Sequence, residues 1–180
     1  MQLIPTPISD LFVIQPRIFE DARGYFYESY NSEIFKQHNI HADFVQDNQS
    51  LSQKNVLRGL HFQNPPYAQG KLVRVIAGSV LDVVVDIRKD SPTYGKSFSL
   101  VLDEKNKTIL WVPPGFAHGF LTLEDNTIFS YKCTNLYNKA SEDSIRWNDP
   151  DLAIDWGTTT PLLSEKDKEA NFFKYLKSQF

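Results

Sequence analysis

Residues 71–88 read KLVRVIAGSVLDVVVDIR. Two runs rich in valine and isoleucine, matched in length, flank Gly78-Ser79, and this pattern predicts a β-hairpin. Its second run is apolar except for Asp82 and Asp86. In the first run, the two-residue strand period puts Gln69, Lys71, Val73, Val75 and Ala77 on one face. If Val73 and Val75 point into a core, the ammonium of Lys71 points there too. On either side of this stretch, from Phe12 to Lys132, short β-rich runs are broken by turn-forming segments at 21–24, 64–66, 91–95, 113–115 and 124–126. Such spacing predicts an all-β sandwich or barrel, read as a jelly-roll β-barrel with a short C-terminal helical tail. Helices are expected at Asn31–Gln37 and at Ser164–Leu176, the latter opening with the capping sequence SEKD.

The chain has 180 residues and a formal charge of −3, which fits one domain with a substantial core. No basic block points to nucleic acid. No segment approaches the roughly 20 apolar residues of a membrane helix. The N-terminal residues lack the basic head and apolar stretch of an export signal, and the single cysteine, Cys133, excludes a disulfide framework. A cytoplasmic protein is expected.

Upstream of the opening stretch, VLRGLHFQ (56–63) places His61 on the face of Leu57, Gly59 and Gln63. Arg58 has the opposite parity unless a bulge at Gly59 re-aims it. Downstream, WVPPGFAHGFLTL puts His118 just after a turn, and TIFSYKCTNLY puts Phe129 and Tyr131 on one face. Taken singly, each has an ordinary reading: a structural histidine, a snorkelling lysine, a core tyrosine, and, for Asp167 in SEKD, a helix-capping carboxylate. Several such groups in one barrel mouth are costly to desolvate, which favours a ligand or a reaction. A barrel with His61 and His118 so placed resembles the cupin superfamily. The metal-binding pattern is broken, however: Gln63 stands where a second histidine is expected, and Lys71 where a carboxylate is expected. A fixed cation beside a metal is electrostatically unfavourable, so a metal-free site without cofactor is expected, with His61 as a base and Lys71 as a stabiliser of negative charge.

DARGYFYESY, QDNQS, VLRGLHFQ, QGKLVRVIAGSVLDVVVDIR, SPTYGK, VPPGFAHGFLTL, YKCTNLY, the Glu142 segment with IRWNDP, and LSEKD occur in this order. Together they resemble the dTDP-4-dehydrorhamnose 3,5-epimerase family. The resemblance implies His61 as the base, Asp167 as its carboxylate partner, Tyr131 as the acid on the opposite sugar face and Lys71 opposite the C4 oxygen. It implies Arg23 and Arg58 on the diphosphate, and Tyr137 stacked on thymine. Glu28, Gln46, Asp47, Asn48, His118, Glu142 and Lys166 are implied as further contacts of a dTDP-4-keto-6-deoxyhexose. It also implies a homodimer in which the RGYFYE segment reaches into the partner's barrel. Relatives that invert only C3 or only C5 share this pattern, and a non-catalytic sugar-binding cupin is the alternative from another class.

Overall fold

The computed structural model describes residues 1–180. The strands are β1 (Gln2–Pro5), β2 (Phe12–Gln15), β3 (Ile18–Asp21), β4 (Gly24–Tyr27), β5 (Gln46–Ser52), β6 (Leu57–Gln63), β7 (Lys71–Ala77), β8 (Ser79–Asp86), β9 (Ser97–Asp103), β10 (Ile109–Val112), β11 (Phe116–Thr122), β12 (Thr127–Cys133) and β13 (Glu142–Ser144). Two antiparallel sheets, ordered β1-β2-β10-β7-β12-β5 and β13-β6-β11-β8-β9, form a jelly roll. The β3–β4 hairpin stands apart as a separate two-stranded ribbon. No helix is long and apolar enough to cross a membrane.

The expected hairpin does not form. Strand β7 pairs with β10 and β12, whereas β8 pairs with β9 and β11 in the other sheet. Gly78 is the corner at which the chain changes sheets. One residue between strands is too short for the two-residue hairpin loop, and a Cβ on Gly78 would lie 2.4 Å from Thr127 Oγ1. The composition of β8 has a different cause from hairpin pairing, because both of its faces are buried. Val80 and Val84 join Val73, Val75, Leu110 and Phe129 between the sheets. Val83, Val85 and Ile87 face outward, beneath Ile145, Leu152 and Trp156 of the C-terminal segment. The two aspartates that interrupt the run are partnered: Asp86 accepts from Arg88, Ser91 and Thr93, and Asp82 meets His118.

Helix α1 (Ser32–Gln37) begins where expected, with the side chain of Asn31 accepting from the amides of Glu33 and Ile34. Its Phe35 covers the outer face of the six-stranded sheet with Leu72, Ile109 and Trp111. The second predicted helix is shorter than expected. It comprises α2 (Glu165–Glu169), a break in which Asn171 bridges Ile145, and a 3₁₀ turn at Phe173–Tyr175. The carbonyls of Lys168, Ala170 and Asn171 accept from Arg146 and the Phe173 amide donates to Asp149, so these groups are not available to continue the helix.

The bulge at Gly59 forms. On β11, His118 pairs with His61 and Phe120 with Arg58, so two residues on β6 oppose one on β11. The interruption sends Leu57, Leu60 and Phe62 into the outer core while Arg58 reaches Ser52 of the facing sheet. Gly59 has φ +139°, and a Cβ there would lie 2.5 Å from Gly119 Cα. Gly59→Ala is therefore expected to destabilise the fold by more than about 1–3 kcal/mol, the usual cost of overpacking, measured by urea unfolding. An unchanged midpoint would show that the two strands can separate at no cost.

Candidate active site

At one mouth of the barrel, a cavity of about 90 Å³ is lined by Gln46, Asn48, His61, Phe62, Gln63, Gln69, Lys71, Tyr131, Tyr137 and Glu142. His61 stands on β6 of the five-stranded sheet; Lys71 and Tyr131 stand on the neighbouring strands β7 and β12 of the sheet facing it. The parity reading of β7 holds, since Val73 and Val75 lie in the inter-sheet core and Lys71 follows them inward.

The imidazole of His61 is fixed from behind. Its Nε2 lies 2.5 Å from Asp167 Oδ1, and Asp167 is buried while the histidine side chain keeps 29% exposure. Burial alone raises the Asp167 carboxyl, but hydrogen bonds from His61 and Ser164, with the fields of His61 and Lys166, hold it below its usual value. The ionised carboxylate only accepts, so Nε2 carries the proton and the Nδ1 lone pair is free. Across the cavity, burial chiefly raises the Tyr131 phenol, which keeps it protonated and able to donate.

Lys71 is the exception to local pairing. Burial pushes its ammonium below the ordinary lysine value. The carboxylates whose fields act on it are engaged elsewhere: Asp82 with His118, and Glu142 with Lys166 and with the Tyr137 hydroxyl at 3.1 Å. A half-buried cation lining the cavity, with no carboxylate at ion-pair distance, favours an anionic guest.

The wall on the Tyr137 side is pinned by three glutamines. Gln46 Oε1 accepts the Tyr137 amide, and Gln69 Nε2 donates to Asn135 O. Gln63 donates to Tyr67 O and Leu136 O and accepts from the Asn138 amide. Every polar atom of Gln63 is consumed by backbone, which gives this position a structural duty distinct from metal ligation. The sequence reading did not assign these roles, and no local pattern marks bonds between segments so far apart. No cluster of three or more His, Cys, Asp or Glu side chains is arranged to hold a metal.

The remaining expected site residues divide. Arg58 lies at the edge between the sheets, where its guanidinium donates to Ser52 and its field lowers the Tyr131 phenol against the effect of burial. His118 is buried against Asp82 and Phe129, outside the cavity lining. Asp47 alternates to the opposite face from Gln46 and Asn48 and pairs with Lys132. Arg23 and Glu28 lie in and just after the β3–β4 ribbon, where Arg23 pairs with Asp21 and Glu28 accepts from Asn31. Asp82, noted earlier only as a break in an apolar run, is the buried partner of His118.

The family model described as dTDP-4-dehydrorhamnose 3,5-epimerase matches residues 5–175. The chain belongs to that family. It is 52% identical over 170 residues to the dTDP-4-dehydrorhamnose 3,5-epimerase of Escherichia coli, covering 93% of this chain and 92% of that one. The crystal structure of the Legionella pneumophila dTDP-6-deoxy-D-glucose-3,5-epimerase, in complex with dTDP-4-keto-L-rhamnose, superimposes with a TM-score of 0.93 at 47% identity, covering 97% and 94% of the two chains. A Streptomyces bikiniensis 3'-monoepimerase, solved with dTDP as a histidine and tyrosine double mutant, has a TM-score of 0.88 at 34% identity, covering 93% and 85%. Its two substituted positions are separated by the same number of residues as His61 and Tyr131. The jelly roll is thus the cupin-like barrel of this family.

Replacing Lys71 by methionine is expected to raise the urea midpoint while turnover falls, because the change removes a partly desolvated charge and keeps the packing. The sign with pH follows from the lowered value. Between the folded-state pKa and 10.5 the unfolded chain holds more protons, so wild-type stability rises with pH and the advantage of methionine narrows. A lowered midpoint, or an advantage that does not vary across that window, would contradict the desolvation of Lys71.

Proposed function

We propose that this chain is a dTDP-4-dehydrorhamnose 3,5-epimerase, converting dTDP-4-dehydro-6-deoxy-D-glucose to dTDP-4-dehydro-L-rhamnose. The observation that carries the reading is the placement of His61 and Tyr131 on facing walls of one small cavity, with Lys71 beside the tyrosine. A C–H next to a ketone is acidic because its conjugate base spreads charge onto the carbonyl oxygen. His61 Nδ1 removes that proton from one face of the ring, and the proton is shared with a base already polarised by Asp167. Lys71 faces the C4 oxygen as it becomes an enolate, where a preorganised cation acts most strongly in the transition state. Tyr131 returns a proton from the other face, which inverts the centre. C3 and C5 both flank C4, so one apparatus serves each in turn once the ring turns over. No redox or metal step is needed by this route.

Arg58 suits the diphosphate through its planar multi-donor head, with Arg23 a second clamp. Tyr137, more than half exposed beside the cavity, is assigned to the base of the nucleotide, and Gln46, Asn48, Glu142 and Lys166 to the rest of it, while the buried His118 is assigned to holding Asp82. The names and complexes of the relatives support a nucleotide-sugar substrate.

The test is incubation with the 4-keto substrate in deuterated water, with label read separately at C3 and C5. Label at both carbons is expected. Label at C3 alone would make the chain a monoepimerase like the Streptomyces protein, and no label would favour a sugar-binding role. His61→Asn is expected to abolish exchange at both carbons with the fold intact, while Tyr131→Phe spares exchange more than inversion. Equal partial losses in the two variants would reassign both roles.

The same reading includes a homodimer. The β3–β4 ribbon exposes Phe19, Tyr25 and Phe26 by 49%, 58% and 67%, a cluster of apolar rings left open to water, and its Arg23 is not among the residues lining its own chain's cavity. Seated in a partner's barrel, it would bury those rings and deliver the guanidinium. Light scattering is expected to give a dimer. Co-expressed Arg23→Ala and His61→Asn chains should recover activity that neither has alone, because one of the two shared sites is then complete. A monomer, or no recovery, would refute the exchange.

A further inference from the structure

The side chain of Ser164 does two things at once. It stands at the N-cap of α2, where its oxygen accepts the Asp167 amide at 3.2 Å, and its hydroxyl donates to Asp167 Oδ2 at 2.8 Å. Asp167 Oδ1 faces His61 Nε2 at 2.5 Å. Both oxygens of one buried carboxylate are therefore held, one by the ring and one by the hydroxyl. The hydroxyl has a single proton, and the ionised Asp167 has none to give, so the direction of the bond is fixed. The backbone amide occupies a lone pair of the same oxygen, leaving the hydroxyl no freedom to rotate away.

The clamp is tied to the strand it serves. Just before it, the Leu57 amide donates to Leu162 O and the Leu162 amide donates to Asn55 O, joining the segment to the start of β6. Just after α2, the Arg146 amide donates to Asn171 O beside β13, and the Arg146 guanidinium donates to the carbonyls of Lys168 and Ala170. A helix of five residues is thus anchored at both ends to the wall that carries His61.

We propose that Ser164 is a positioning residue for the reaction: it fixes the rotation of the Asp167 carboxylate and draws charge from it, and so sets the basicity of His61. The inference rests on the reading of His61 as the base. Its sign follows from the charges. Without the hydroxyl donor, more negative charge remains on the oxygen facing the ring, the imidazolium is stabilised, and His61 titrates at higher pH. A cap without such a role predicts only lost helix stability.

The experiment compares Ser164→Ala, Ser164→Gly and Ser164→Thr in the full-length protein. Glycine caps helices almost as well as serine but lacks the hydroxyl, whereas threonine keeps it, so the two separate cap from clamp. The acid limb of the kcat/KM–pH profile is expected to move up by a few tenths to about one pH unit in Gly and Ala, with kcat about tenfold lower. Threonine should restore both, and NMR titration of His61 in the substrate-free protein should show the same displacement. A wild-type limb and wild-type titration in Ser164→Gly would overturn the proposal even if Ser164→Ala is unstable. Undiminished turnover in His61→Asn would instead bring down the underlying reading of the base.

Discussion

The close approach of β6 and β11 at Gly59 and Gly119 is the constraint on which the site depends. The strands meet so tightly that a Cβ on Gly119 would lie 2.8 Å from Arg58 O. Without the resulting bulge, strict alternation would send Arg58 and His61 to opposite faces, one of them into the apolar layer beneath the C-terminal segment. With it, a guanidinium and an imidazole three positions apart both turn toward the facing sheet. The outer layer keeps Leu57, Leu60 and Phe62 without interruption.

Charge inside the barrel is treated in two ways. Asp82, Asp86 and Asp167 are all buried, and each is met by a partner: His118, the Arg88–Ser91–Thr93 set, and His61 with Ser164. Asp86 shows the strength of such a shell, since its partners hold the carboxyl at about 2 against a burial effect of the opposite sign. Lys71 has no carboxylate within ion-pair distance. Where these carboxylates are each held by their own hydrogen-bond donors and the ammonium has no such anionic partner, the cavity carries a localised demand for negative charge. That demand suits an oxygen that becomes anionic only during a reaction.

Much of this was legible from one-dimensional pattern. The alternation of β7 located Lys71 on the inner face, and Gly59 announced the bulge. Pairing was less legible than face. The run from Lys71 to Asp86 carries strand propensity but nothing that specifies partners, and a single-residue corner looks locally like a tight turn. The C-terminal helix was overextended because SEKD marks a start, while its end is decided by Asn171 bridging to Ile145 across the fold. Asp167 could be read either as a cap or as a partner of histidine; its carboxylate meets the capping serine on one oxygen and the imidazole on the other. The roles of Gln46, Gln63 and Gln69 were invisible, because an amide bonded to distant backbone leaves no periodic trace.

Those three amides have a consequence for how the enzyme responds to its surroundings. They are uncharged, so the backbone around Tyr137 is held without ion pairing and is indifferent to the salt screening that loosens links such as Lys132 to Asp47, while the Tyr137 hydroxyl alone leans on the charged Glu142. Acid or alkali likewise leaves amides unaltered. One side of the cleft therefore stays in register under varied solvent conditions, and sensitivity to the medium is concentrated in the few ionisable groups that face the guest.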